Sequence, residues 1–275
     1  MDVAIEGLSF PEAPRWHAGH LWFSDFYTHS VHRADESGRL TTLAEVTGRP
    51  SGLGFTADGG VLIVSMLDKK LLKLRDGTLS EVADLSGHAG GPCNDMFVTD
   101  DGRAYVGNFG FDRHNGEPPR LARLIRVDPD GSVSQEADEL SFPNGMAITP
   151  DRRFLLVAET YAGRISSFRF GDGGRLADRR SFAELADFEP DGICVDVEGA
   201  VWAADVKGHR VIRVLDGGRI DRTISTGERI PLACVLGGQD LRTLFVCTNT
   251  GFGPKMAAKR DGKIEIVRVD VAGLA

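Results

Sequence analysis

A short step recurs six times along this chain. Pro190-Asp191-Gly192 is its clearest form; it returns as Pro143-Asn144-Gly145, Pro50-Ser51-Gly52, Pro231-Leu232-Ala233 and Pro11-Glu12-Ala13, with Cys93-Asn94-Asp95 as a looser copy. An apolar run follows each copy, then a turn carrying Asp or Gly, then a second, stronger apolar run. From Glu12 through Ser51, Asn94, Asn144 and Asp191 to Leu232 the steps are 39, 43, 50, 47 and 41 residues. A period in the forties belongs to propeller blades or to stacked helical pairs, and local pattern decides between them.

The fourth repeat reads as strands. Gly145–Thr149 is a short apolar run, Pro150–Arg153 a turn and Phe154–Ala158 a second run. Thr160–Gly163 turns again, Ile165–Phe170 alternates, and Gly171–Gly174 precedes a last polar strand. Other repeats keep this grammar, with Asp58-Gly59, Asp101-Gly102 and Glu198-Gly199 ahead of second strands such as Val201–Ala204. No stretch sustains a helical period. The expected fold is therefore all-β, a six-bladed β-propeller with four antiparallel strands per blade, filling residues 1–275 as one domain. Closure requires the ends to meet, so the leading Val3-Ala-Ile5 is expected to join the last blade beside Lys263–Asp270. Two repeats carry extra residues between their second and third strands, Asn108–Pro119 and Asn249–Arg260. With Phe109, Phe111 and Phe252 they are expected to form a lid or pocket wall on one face.

Composition narrows the partners. A formal net charge of −8 opposes nucleic acid and anionic membrane surfaces, which need a positive field. No run of about 18 apolar residues exists to span a bilayer. No basic and apolar leader is visible at the start, so a cytoplasmic address is expected. Cys93, Cys194, Cys234 and Cys247 show no C-x-x-C pair and no zinc spacing with His, and read as buried free thiols.

In a propeller the first strand of each blade lines the axial channel, so the six repeated positions become one ring. Glu12, Asn94, Asn144 and Asp191 then direct oxygen atoms into a shared space, with Ser51 and Leu232 completing the circle. Two carboxylates held close in a desolvated channel repel unless a cation intervenes. Oxygen-only donors favour one hard divalent ion, calcium first, with magnesium, manganese or zinc as alternatives. Asn, Asp and Ser after proline are also ordinary turn formers, which accounts for Ser51 and leaves that reading open for Asp191.

Phe10-Pro-Glu12-Ala-Pro-Arg-Trp16, Cys93-Asn94-Asp95, Phe142-Pro-Asn144-Gly145 and Glu189-Pro-Asp191-Gly192 together resemble the senescence marker protein/gluconolactonase family, also called the regucalcin family. The resemblance covers the whole chain. It implies a six-bladed propeller, a single divalent metal in the channel and hydrolysis of lactones. By position it carries Glu12, Asn144 and Asp191 onto metal ligands and Asn94 onto a place beside metal and substrate. Asp191, Asn94 and Asp95 are the catalytic candidates, Asp191 as general base. One departure is Pro92, where members acting on sugar-acid lactones often carry Arg, so the expected substrate is a small lactone or ester of less polar character. Two alternatives stand beside this reading: a non-catalytic calcium-binding propeller, and a propeller enzyme acting on a non-lactone substrate. Oligomeric state is not legible.

Overall fold

Apolar alternation punctuated by tight turns yields strands at each expected position. The structure, a computed structural model, describes residues 1–35 and 37–274, with the side chain of His114 outside the described residues. Six separate four-stranded antiparallel sheets are present. The innermost strands are Pro11–His17, Pro50–Phe55, Cys93–Val98, Pro143–Ile148, Pro190–Val195 and Ile230–Gly237. Each packs against the innermost strands of the blades before and after it, and Pro11–His17 packs on Ile230–Gly237, so the ring closes.

Closure runs through the N-terminus, as expected. Asp2–Leu8 is the outermost strand of blade six and pairs antiparallel with Gly262–Arg268, Asp2 facing Ile266 and Leu8 facing Gly262. A strand contributed by one end of the chain to a sheet built by the other removes an open seam in the circle. The one α-helix among the described residues is the single turn Met256–Lys259, inside the second insertion.

The repeated step has a defined backbone geometry. In blade four Pro143 faces Glu159 and Met146 faces Val157, so three residues advance against two on the partner strand. The same one-residue irregularity falls between Pro50 and Leu53, Cys93 and Met96, Pro190 and Ile193, Glu12 and Arg15, and Pro231 and Ala233. Such a bulge bends the strand and re-aims a side chain. It therefore turns the middle residue of every copy out of the sheet and toward the axis.

The step's glycines are not turn residues. Gly52, Gly145 and Gly192 are absent from the left-handed region. Their role is close approach: a Cβ on Gly52 would lie 2.5 Å from Met96 N, on Gly145 2.5 Å from Ile193 N, and on Gly192 2.3 Å from Ala233 Cβ. Each of these contacts belongs to the next blade.

Apolar packing lies between blades. Ala147, Leu156 and Ile165 of blade four meet Ile193, Val201 and Ile212 of blade five in one cluster, and Trp202 of blade five meets Cys234, Leu236 and Val246 of blade six in another. The four cysteines are free, with Cys93, Cys234 and Cys247 buried and Cys194 half-buried. Burial pushes the Cys93 thiol up to about 12. A hydrogen bond with Cys194, then burial, raises Cys234, and burial raises Cys247.

Two outcomes follow from this packing. Gly145→Ala is expected to cost about 1–3 kcal/mol in urea denaturation, because the atoms its methyl meets are backbone and cannot rotate away. At pH 8 only Cys194 is expected to react with Ellman's reagent in the native protein, since the thiolate is the reactive form and the other three thiols stay protonated and covered; rapid titration of four thiols without denaturant contradicts this.

Candidate functional site

The six bulged positions do not share one fate. Glu12, Asn94, Asn144 and Asp191 all line a cavity of about 320 Å³ at one end of the channel. Ser51 is buried behind them, and fully buried Leu232 joins an apolar cluster with Phe10, Met66 and Met256.

Hydrogen bonds link the polar members from blade to blade. Ser51 Oγ donates to Asn94 Oδ1 at 3.4 Å, and Asn94 Nδ2 donates to Asn144 Oδ1 at 2.9 Å. Asn144 Nδ2 donates to Thr160 Oγ1 at 3.2 Å, and that hydroxyl donates to the Pro190 carbonyl at 2.8 Å. Thr160 thus fixes which way the Asn144 amide faces. It had read only as a turn residue, and nothing in its local pattern distinguishes it.

Glu12 and Asp191 face each other with little compensation. Burial, and next the Asp191 charge, push the Glu12 carboxyl well above the usual carboxylate range, although the Ala13 N–H donates to its Oε2 at 3.1 Å. For Asp191 burial is again the largest cause and Asp95 the second, against the favourable influence of Arg113 and a hydrogen bond from Asn144. Among the described residues no cluster of three or more His, Cys, Asp or Glu is placed to hold a metal. The donor set here is of another kind, two carboxylates with two amide oxygens. It suits one hard divalent cation, which would restore both carboxylates to their ionised forms.

Asp95, expected among the catalytic candidates, does not line the cavity. Its Oδ1 accepts from Arg15 Nη2 at 2.5 Å and from its neighbour Met96 N at 2.8 Å. Arg15 also donates to the carbonyls of Leu53 and Met96, at 3.1 and 2.8 Å, and lines a depression among Pro14, Trp16 and Leu236. The pair joins inner strands of blades one and three across the axis.

A second repeated position lies at the end of each second strand: Asp25, Ser65, Asn108, Glu159, Asp205 and Asn249. Several of these bind the segment that leads into their own blade. Asp25 accepts from the N–H groups of Ser9 and Phe10, at 3.0 and 2.6 Å, and Asp205 accepts from Glu189 N at 3.0 Å. Glu159 accepts from Ser141 N and from the guanidinium groups of Arg164 and Arg179. Acids and amides in register can therefore serve the scaffold alone, and only the bulged row reaches the cavity.

Both insertions contribute to the wall. Phe109, Arg113, Phe252 and Gly253 line the cavity, and Phe111 packs beneath against Phe142 and Tyr161. Phe10, Phe26, Tyr27, Met66 and Phe142 supply the rest of its apolar surface, and Arg49 its second cation. Sequence reading missed Tyr27, Arg49 and Arg113. A signal existed for Arg49: it stands two residues before Ser51, as Pro92 stands before Asn94 and Phe142 before Asn144. His88 is not among the lining residues, and the His114 side chain lies outside the described residues. Lys259 pairs with Asp261 and Lys263 with Glu6, away from the cavity. No helix among the described residues is long and apolar enough to cross a membrane.

The sequence profile of the family described as "SMP-30/Gluconolactonase/LRE-like region" matches residues 10–250. The chain is 28% identical to pentonolactonase XacC of Haloferax volcanii, over 95% of this chain and 90% of that protein. It is 27% identical to 6-deoxy-6-sulfogluconolactonase of Pseudomonas putida, over 86% and 82%. Among solved structures, a gluconolactonase of Xanthomonas campestris aligns at TM-score 0.76 with 26% identity, covering 96% of this chain and 88% of that one.

The Arg15–Asp95 pair yields a stability expectation. Arg15→Met leaves a buried carboxylate without its partner and is expected to cost about 3–5 kcal/mol in chemical denaturation. A variant as stable as the parent removes the pair from the list of contacts that hold the axis together.

Proposed function

The chain belongs to the SMP-30/gluconolactonase/LRE-like family, and from that membership and the cavity geometry we propose that it is a metal-dependent hydrolase that opens a lactone ring. The observation that carries this reading is a cavity of about 320 Å³ lined both by two carboxylates with two amides and by an apolar wall. A flat, open channel mouth would have favoured a binding propeller without catalysis. The names of the relatives above support lactones as the substrate class.

Glu12, Asn94, Asn144 and Asp191 would hold the ion. When bound, a divalent cation supplies Lewis acidity toward an ester carbonyl and makes a nearby water more acidic. The chain's own residues account for the rest. An Asp191 carboxylate oxygen takes a proton from the attacking water as its oxygen bonds to the carbonyl carbon. The ring C–O bond then breaks, and the departing alkoxide recovers a proton from Asp191, giving a hydroxy acid. Asn94, held between Ser51 and Asn144, orients the carbonyl or the water. Phe10, Phe109, Phe142 and Phe252 hold the ring and exclude bulk water. Arg15 and Asp95 lie outside the cavity lining and act on this set through the positions of their strands and through their charges near Glu12 and Asp191.

Purified protein is expected to hydrolyse aldonolactones, to lose that activity to a chelator and to regain it with calcium, magnesium, manganese or zinc. A folded, metal-loaded protein inert on every lactone and ester overturns the reading. Asp191→Ala is expected to lower kcat/KM by roughly 10²–10⁴-fold. Glu12→Gln is expected to weaken metal binding in calorimetry, and an unchanged affinity removes Glu12 from the ligand set.

A further inference from the structure

Neighbouring blades touch at a repeated contact on the side of the ring away from Glu12 and Asp191. The residue four places after the start of the step on one inner strand meets the residue three places after it on the next. A Cβ on Gly54 would lie 3.6 Å from Met96 Cε, Phe97 packs against Met146, and Ala147 shares a cluster with Ile193. Each of these contacts is apolar. Between blades five and six the same two positions are Cys194 and Cys234.

The two sulfurs are held close. Cys234 is 2% exposed, and its Sγ lies 3.4 Å from the Trp202 carbonyl oxygen and 3.8 Å from that of Gly192. Trp202 is the register partner of Cys194, and Gly192 precedes Cys194 on the same strand. The Cys234 sulfur therefore rests against the backbone around Cys194, and the two thiols are hydrogen-bonded. Cys194 is half-buried, and both residues line a cavity of about 490 Å³ at the other end of the axis from Glu12 and Asp191. Cys93 and Cys247 do not line it, and Cys247 packs with Phe10 and Leu232 on the opposite face of blade six.

We propose that Cys194 and Cys234 are a thiol pair that peroxide converts to a disulfide, fastening blade five to blade six. A reachable thiol beside a covered one divides the work into attack and resolution. The Cys194 sulfur, as thiolate, attacks one oxygen of hydrogen peroxide; the O–O bond breaks, and the departing hydroxide takes up the thiol proton as water. Cys194 is left as a sulfenic acid. The Cys234 sulfur then attacks the Cys194 sulfur, the S–O bond breaks, and the leaving hydroxide carries off the Cys234 proton as a second water. Two thiols are oxidised and one peroxide is reduced. The new bond joins the inner strand that carries Asp191 to its neighbour and closes a loop from residue 194 to residue 234. Such a loop restricts the unfolded chain and stabilises the folded one.

The test treats the reduced, full-length protein with an equimolar amount of hydrogen peroxide at pH 8. Intact mass is expected to fall by two hydrogen atoms, proteolysis to release peptides joined through Cys194 and Cys234, and dithiothreitol to restore the mass. Oxidised protein is expected to unfold at a higher urea concentration than reduced protein. Cys194→Ala, which copies Ala147 of blade four, is expected to abolish the mass loss, and Cys234→Ala to stop the reaction at a sulfenic acid that dimedone labels on Cys194. Mapping of the parent protein and of Cys194→Ala decides the matter even if Cys234→Ala fails to fold. Oxygen added to Cys194 without a link, a link through Cys93 or Cys247, or no reaction under excess peroxide overturns the pair. An oxidised protein with an unchanged or lower urea midpoint overturns the fastening of the blades.

Discussion

Six strands crowd around one axis, and everything else in the molecule adjusts to that approach. Gly145 sits so near the backbone of Ile193 that no side chain fits between them, and Gly52 and Gly192 meet their next blades in the same way. Strands this close cannot all present side chains inward along their length. The bulge at each step resolves the conflict by turning a single residue per blade toward the axis. Scaffold and site thus arise at the same backbone position.

That position is then electrostatically expensive. Two carboxylates and two amides converge where water is scarce, and the carboxylates resist ionisation there. The amides are held by a line of hydrogen bonds from Ser51 to Thr160 across three consecutive blades, so their oxygens are set before any ligand arrives. Preorganisation of this kind places the cost of ordering on folding instead of on binding. Glu159, fully buried away from the cavity, is by contrast partnered by Arg164, Arg179 and Ser166. The contrast separates acids that hold the propeller together from acids that face the cavity.

Much of the cavity wall is drawn from parts of the chain that differ between repeats. Two insertions, a left-handed Arg49 and the Phe26–Tyr27 turn converge from blades one, two, three and six. On the proposed reading, repetition accounts for what would hold a metal, and the departures from repetition for what would select a substrate. Arg49 illustrates the point, since its place in the repeat is occupied by Phe10, Pro92 and Phe142 in other blades.

Much of this was open to inspection in the chain alone. The period, the alternation and the turn dipeptides determined the six blades, because strand periodicity and tight turns are local properties. The register of Glu12, Asn94, Asn144 and Asp191 determined the polar set, because equivalent residues of a closed repeat must share a height on the axis. Three things lay beyond local pattern. The step's glycines carry no mark of their role in the local sequence, and only the packed ring shows them to be contact points between blades. Asp95 looked like a neighbour of the site, and only the fold brings Arg15 across the axis to hold it. Arg113 and Phe252 stand in separate insertions, and only tertiary structure lays one over the other. In each case the deciding contact joins residues distant in sequence, and such contacts depend on how blades meet, which no repeat encodes within itself.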